Sequence, residues 1–247
     1  MATKFQNFAA LHVAGKPVIL YNIWDVGSAI AVVGAGAKAL ATGSHPVGDA
    51  SGFGDGQRVP LEYVLDNARR IVEAVELPVT IDFEGGYAVE PQEVAENVSR
   101  LMETGAVGCN LEDQVIGGDV LHPLQLQAKR IAAIRRATGG EFFINARTDL
   151  LLRTQTHDEV LIDQVIERGK AFAEAGATGF FVPRLAEPGH VERVVREVPL
   201  PLNVIAFPGA PEKKVWAEAG VARISHGPFP HRALMARLTQ MASDAIN

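Results

Sequence analysis

A single cysteine, Cys109, occurs among 247 residues, so no disulfide can form within the chain, and its place inside an apolar run argues against thiol catalysis. That usage fits a reducing, cytoplasmic home. No stretch approaches the ~18 uninterrupted apolar residues of a membrane span, and the opening MATKFQNFAALHVAGKP has neither the apolar core nor the small-residue cleavage site of a secretory leader. No GxGxxG opens a helical pattern and no Walker-type GxxxxGK(S/T) occurs, which removes the usual support for a nucleotide cofactor. The net charge of −6 has both signs interspersed, so no nucleic-acid and no membrane partner is expected. No Pro/Ser-rich linker, low-complexity tract or charge block divides the chain, and residues 1–247 read as one domain.

What is present is alternation. Apolar, β-branched runs of about six residues are separated by amphipathic stretches of about 12 to 18, the pattern of β/α units on a parallel sheet. Eight runs can be counted: VILYNI from Val18, KALATGS from Lys38, VTIDFE from Val79, VGCNLED from Val107, FFINARTD from Phe142, GFFVPR from Gly179, PLNVIAF from Pro201 and ARISHG from Ala222. Eight units and 47% hydrophobic content in a chain of this length predict an α/β fold of the (β/α)8 TIM-barrel type. Four helical stretches end in the same way, in GAGAK, ETGAV, EAGAT and EAGVA, where a left-handed glycine stops a helix cheaply. His45 to Val59 reads as one long Gly- and Asp-rich loop, of the kind that serves as a lid or binding loop.

Such a barrel carries its chemistry at the C-terminal ends of its strands. Asp82 and Glu84 lie one residue apart at the end of the third run, so both project from one face, and Glu112 and Asp113 end the fourth. Neighbouring carboxylates taken out of water cost several kcal/mol unless a cation or proton compensates, which points to a metal held by Asp82, Glu84 and Glu112. Hard oxygen ligands without nearby cysteine or paired histidine suit Mg2+ or Mn2+ better than Zn2+. The plainer reading is salt bridging to Arg147 or lysines. Asp113 and Asp149 read as helix N-caps or as partners behind the ligands. Arg147 can clamp a carboxylate with two parallel bonds, and the Gly43–Ser44 backbone can donate to the same anion; an ion pair and a simple turn are the bland alternatives. No lysine stands at a strand end, which removes Schiff-base aldolase chemistry. His45, His122 and His226 read as surface or loop histidines, and Trp24 as a pocket wall or a packing residue.

In order and spacing, NIWDVGSA, LATGS, DFEGGY, NLEDQ, QAKRIAAIR and NARTD resemble the isocitrate lyase and phosphoenolpyruvate mutase superfamily over essentially the whole chain. The resemblance implies a Mg2+-dependent barrel that makes or breaks a C–C or C–P bond beside an α-oxo acid through an enolate. It implies that Asp82 and Glu84 hold the metal directly or through water, with Glu112 completing the shell. It also implies that Arg147, Gly43 and Ser44 grip the substrate carboxylate, and that Asp55 approaches the reacting group from the loop above. Trp24, Asp25 and Asn203 would flank the oxo-acid site. A homo-oligomer, dimer or tetramer, is implied too.

One stretch departs from the pattern. Lyases of this superfamily carry a Lys/Arg-Cys-Gly-His loop after the fourth strand, whereas this chain reads IGGDVLHPLQLQ from Ile116 to Gln127, with neither that cysteine nor the Lys and Asn of phosphoryl-transferring members. The short, cysteine-lacking phosphonomutase-like members look closest. The expected activity is therefore a lyase acting on an oxaloacetate-like α-oxo acid, by C–C cleavage or decarboxylation. The alternatives are C–P chemistry on a phosphonate, as mutase or phosphonopyruvate hydrolase, and a non-catalytic sensor of Mg2+ and a dicarboxylate.

Overall fold

A computed structural model describes residues 2–247. All eight expected runs form parallel strands: β1 Val18–Leu20, β2 Leu40–Ala41, β3 Val79–Asp82, β4 Gly108–Glu112, β5 Phe143–Arg147, β6 Gly179–Phe181, β7 Leu202–Ile205 and β8 Arg223–Ser225. Their order, β1-β8-β7-β6-β5-β4-β3-β2, runs sequentially around a (β/α)8 barrel. The seam between β1 and β2 is closed by an Ile23–Thr42 bridge, with the Ile23 N–H donating to the Ala41 carbonyl at 2.9 Å and Asn22 Nδ2 to that of Thr42 at 2.8 Å. The ladders stop short of the apolar runs because the last residues of each run leave the sheet to build the mouth.

The helices are α1 Lys4–Ala10, α2 Val26–Gly34, α3 Ser44–Ser51, α4 Leu61–Ala74, α5 Pro91–Glu103, α6 Leu124–Thr138, α7 Glu159–Glu174, α8 Pro188–Glu197, α9 Lys213–Glu218 and α10 Phe229–Ile246. Their buried faces follow helical spacing, as with Val64, Leu65, Ala68 and Ile71 on α4 and Val94, Ala95, Val98 and Leu101 on α5. The four repeated stop signals each place a glycine in the left-handed region, Gly36, Gly105, Gly176 and Gly220 having φ of 89°, 89°, 96° and 90°.

The two ends of the barrel differ. At the N-terminal end of the strands α1 acts as a plug: Phe8 meets Phe143 edge-on at 5.1 Å, among Val18, Leu20, Ala39, Ala41 and Val107. Between plug and mouth lies a polar layer. Asn145 Nδ2 donates to Asn110 Oδ1 at 2.8 Å and to Asn203 Oδ1 at 3.0 Å, and Asn203 Nδ2 reaches Ser225 Oγ at 3.2 Å. Arg223, fully buried, joins it through Asn110 and Ser225. Burial pulls its guanidinium down to about 9, against the pull of the Asp82 charge.

The long loop expected over His45–Val59 is a correction: its first half is α3. Pro46 is tolerated within the first turn, where its missing N–H would have had no partner. Gly48 lets the chain fold back on the helix, since a Cβ there would lie 2.3 Å from the Gly54 carbonyl oxygen. Gly52, at φ 78°, ends the helix and leaves a short segment that turns toward the mouth. Among the described residues no helix is long and apolar enough to cross a membrane. α10 projects from the barrel with only Pro230 and His231 buried, and Leu234, Leu238 and Met241 stand at least half exposed.

Candidate active site

A cavity of about 540 Å3 opens at the C-terminal ends of the strands. Gly43, Ser44, Asp55, Asp82 and Arg147 line it, five of the residues singled out from sequence. Asp82 Oδ2 accepts from both the backbone N–H and the hydroxyl of Ser44, each at 3.1 Å. The acid thus sits at the positive N-terminus of α3, and the Ser44 donors hold Asp82 rather than standing free for a substrate carboxylate. Asn110 Nδ2 approaches the other oxygen at 3.4 Å.

Glu84 and Glu112 lie behind the cavity wall. Glu84 sits in the left-handed region at φ 48°, a strained conformation for a non-glycine residue, held by its surroundings. Arg130, wholly buried on α6, donates Nη2 to the Gly85 carbonyl and, at 3.0 Å, to that of Ala88, while Gln127 Nε2 reaches the Glu112 carbonyl at 3.2 Å. From the other side the Gln57 N–H donates to Glu84 Oε2 at 2.8 Å, and Gln57 Oε1 accepts from the Tyr87 N–H at 3.0 Å. The segment carrying Asp55 is thereby docked on the acid turn.

Arg147 is held on two sides. Its Nε and Nη2 donate to the two oxygens of Asp149 at 2.5 and 2.9 Å, and its Nη1 lies 2.9 Å from Glu112 Oε2. Three of its five N–H groups are engaged, two by Asp149 and one by Glu112, so two donors remain for a ligand in the cavity. Asp113 supports this unit from behind by accepting the Asp149 N–H at 3.0 Å, and it pairs with Arg168 at 3.0 Å. Burial alone would lower the Arg147 pKa, but the charges of Asp149 and Glu112 outweigh it and keep the guanidinium protonated. Burial pushes the Glu112 carboxyl well above the usual carboxylate range, the Arg147 charge drawing it back.

Among the described residues no three His, Cys, Asp or Glu side chains converge closely enough to hold a metal by themselves. Mg2+ does not require that, because it keeps several waters and is bound through one or two carboxylates together with ligand oxygens. The all-oxygen donor set fits the chemistry of Mg2+ or Mn2+: Asp82 and Asp55 face the cavity, and Glu84 and Glu112 lie near enough to Asp82 for their charges to interact. Glu84 is pushed up to about 7, by burial first and by the Asp82 charge second, and a divalent cation would relieve that repulsion.

This carries a prediction. The unfolded chain releases the Glu84 proton near 4.5 and the folded chain holds it to about 7, so the folded state binds the extra proton between them. Stability therefore falls as pH rises through that window, by on the order of 3 kcal/mol for a shift of this size. The urea midpoint of metal-free protein is expected to drop across this range, and millimolar Mg2+ to remove most of the drop. A flat profile, or a Mg2+ effect of the same size in Glu84→Gln, would overturn the assignment.

Several expected residues lie elsewhere. Asp25 is the N-cap of α2, accepting from the Ser28 N–H at 2.7 Å in a capping box, and Trp24 packs edge-on against His231 at 4.8 Å; neither lines the cavity. Asn203 is spent within the polar layer beneath it. The structure places these three expected substrate contacts off the cavity. His122 is buried rather than at the surface, with its pKa lowered by that burial. His45 lines the cavity, its Nδ1 2.9 Å from Asp49 Oδ2. Asn22, Asn110 and Arg184 line it as well. Asn110 was within reach of sequence reasoning, standing two residues before Glu112 on the same face of β4.

Fold and site together define the class: a (β/α)8 barrel of the phosphoenolpyruvate/pyruvate type, with acids and an arginine at its catalytic end. The chain belongs to the phosphoenolpyruvate phosphomutase family, whose model matches residues 8–246, within the isocitrate lyase/phosphoenolpyruvate mutase superfamily. A Burkholderia cenocepacia protein provisionally described as a phosphonomutase superposes with a TM-score of 0.95 at 44% identity, covering 98% of each chain. The Mycobacterium tuberculosis protein Rv1998c is 34% identical over 92% of this chain and 84% of its own. Escherichia coli 2-methylisocitrate lyase is 30% identical over 61% of this chain and 52% of its own. An oxaloacetate decarboxylase from Ectopseudomonas mendocina and a phosphonopyruvate hydrolase are further relatives or fold neighbours, so the superfamily spans several lyase and mutase chemistries.

Proposed function

We propose that the protein is a Mg2+-dependent lyase that cleaves or decarboxylates an oxaloacetate-like α-oxo acid. The observation that carries this reading is one cavity lined by both Asp82 and Arg147, with Arg147 oriented by two carboxylates yet keeping free donors. When bound, Mg2+ would lower the cost of negative charge developing on the oxo oxygen of the substrate. Asp82 would hold it, with Glu84 and Glu112 acting through water. Ser44 orients Asp82 through two hydrogen bonds. Arg147 binds the substrate carboxylate with its remaining N–H groups and fixes the oxo acid against the acid cluster. Asp55 faces the group on C3.

No residue of the Ile116–Gln127 stretch lines the cavity, and the Val115 N–H donates to the Val120 carbonyl at 2.9 Å, closing a turn at its start. Cys109 is fully buried in β4, and burial pushes its thiol far up. Protonation of the carbon product therefore falls to water, which restricts the chemistry to loss of a group that needs no dedicated acid. A cytoplasmic homo-oligomer completes this reading, the exposed apolar residues of α10 being a surface available for assembly.

Incubating the protein with Mg2+ and a panel of oxo acids and phosphonates tests the proposal. Pyruvate released from oxaloacetate or a substituted analogue, and lost on adding EDTA, is the expected result. Phosphate released from phosphonopyruvate would replace it with the C–P reading. Saturable binding of oxalate or 2-oxoglutarate with no product from any compound would leave a non-catalytic sensor.

A further inference from the structure

The cavity has two chemically different halves. Toward β2–β5 it is polar, with Ser44, Asp55, Asp82, Asn110 and Arg147; the opposite wall is mostly apolar, built by Leu152, Phe181, Ile205, Phe207 and Phe229, with Arg184 and Ser225 the polar side chains among them. Its volume of about 540 Å3 falls in the ~300–1,000 Å3 range of sites that bury drug-sized ligands. A four-carbon oxo diacid displaces only a few waters at about 30 Å3 each, so it would fill the polar half and leave the rest wet.

The apolar half is not ordinary core reaching the surface. Leu152 is 43% exposed, and Phe207 and Phe229 are half-buried. They come from three separate connections: the turn after β5, the segment after β7 and the first residue of α10. Phe181 joins the two halves, with the Arg147 guanidinium carbon 5.8 Å from its ring centroid. Separate segments that present apolar side chains to one space, next to an anion-binding arginine, form a recognition surface for a molecule with an acidic head and an apolar tail.

We propose that this wall is a subsite for an apolar substituent, and that the substrate is an α-oxo acid carrying an aliphatic or aromatic group of several carbons. The inference rests on the α-oxo acid reading of the polar half. The head lies at Arg147 and Asp82, and the tail runs past Phe181 onto Phe207 and Phe229. Burying the tail supplies affinity remote from the reacting centre, which can be used to hold the head in a reactive geometry.

Calorimetric titration of the full chain in Mg2+ with straight-chain 2-oxo acids, from pyruvate to 2-oxooctanoate, reads the subsite without turnover, because none of these carries a group that can leave from C3. The dissociation constant is expected to fall about fourfold per added methylene, the equivalent of ~0.8 kcal/mol per buried CH2. Phe207→Ser and Phe229→Ser are each expected to flatten that gradient, with the urea midpoint reporting separately on folding. An affinity that stays level or weakens with chain length, or a gradient that survives in both variants, overturns the subsite. If the gradient is found but no oxo acid is cleaved, the lyase reading fails and the subsite stands.

Discussion

Asp82→Asn is expected to lower kcat/KM for oxo-acid cleavage by on the order of a thousandfold, about 4 kcal/mol of transition-state stabilisation. The change keeps the size of the side chain and an oxygen that can still accept from the Ser44 N–H and hydroxyl, so the α3–β3 junction stays intact. What it removes is charge. The Asp82 charge is the second largest cause of the raised Glu84 pKa, after burial. Removing it brings the Glu84 carboxyl back toward its ordinary value and makes the metal-free protein more stable near neutral pH. A variant that is more stable and nearly inactive is the signature of a charge kept for function at the expense of stability. Steady-state pyruvate formation and urea unfolding of the same preparation check both halves. Activity within tenfold of the parent, or a loss of stability, would show that Asp82 belongs to the scaffold.

The barrel itself was open to sequence reading because its two periodicities are strong: six-residue apolar runs, then helices that bury one stripe. The stop signals repeat because each helix must turn back under the sheet, and a left-handed glycine does this at no steric cost. Asp82 and Arg147 could be found for a similar reason, Gly43 and Ser44 from their place at the end of the second run, and Asp55 only through the family resemblance. A charge at the C-terminal tip of a buried strand has only the mouth to face.

What was hidden depended on contacts between distant segments. Asp25 reads like a strand-end acid, but Ser28 three residues later makes it a helix cap. Asn203 points into the barrel like its neighbours on β4 and β5, and only the side-chain network shows that its hydrogen bonds are already spent. The helical start of the expected long loop was masked by glycines and a proline, one of which, Gly48, is there because the chain returns against it. The apolar half of the cavity gave no signal at all. Leu152, Phe207 and Phe229 lie in connections where a lone apolar residue carries no periodicity, and folding alone brings them together.

The Glu112–Arg147–Asp149 unit makes the other large effect. Arg147→Met is expected to cost about 3–5 kcal/mol of stability and to abolish measurable turnover, because it leaves two buried carboxylates without their cation. The desolvation cost that Arg147 now offsets then falls on Glu112, whose carboxyl burial already pushes up. A second change separates structure from chemistry. Glu112→Gln in the Arg147→Met background removes one uncompensated charge while keeping the shape, so the double variant is expected to recover part of the lost stability, with a coupling energy of about 1–3 kcal/mol. Activity does not return, since the substrate carboxylate still has no clamp. Urea unfolding of the two single variants and the double closes the thermodynamic cycle, and pyruvate formation reads the function. Strict additivity in stability would mean that Glu112 and Arg147 do not act as a pair. Recovered turnover in the double variant would mean that Arg147 serves only to neutralise Glu112 and never touches the substrate.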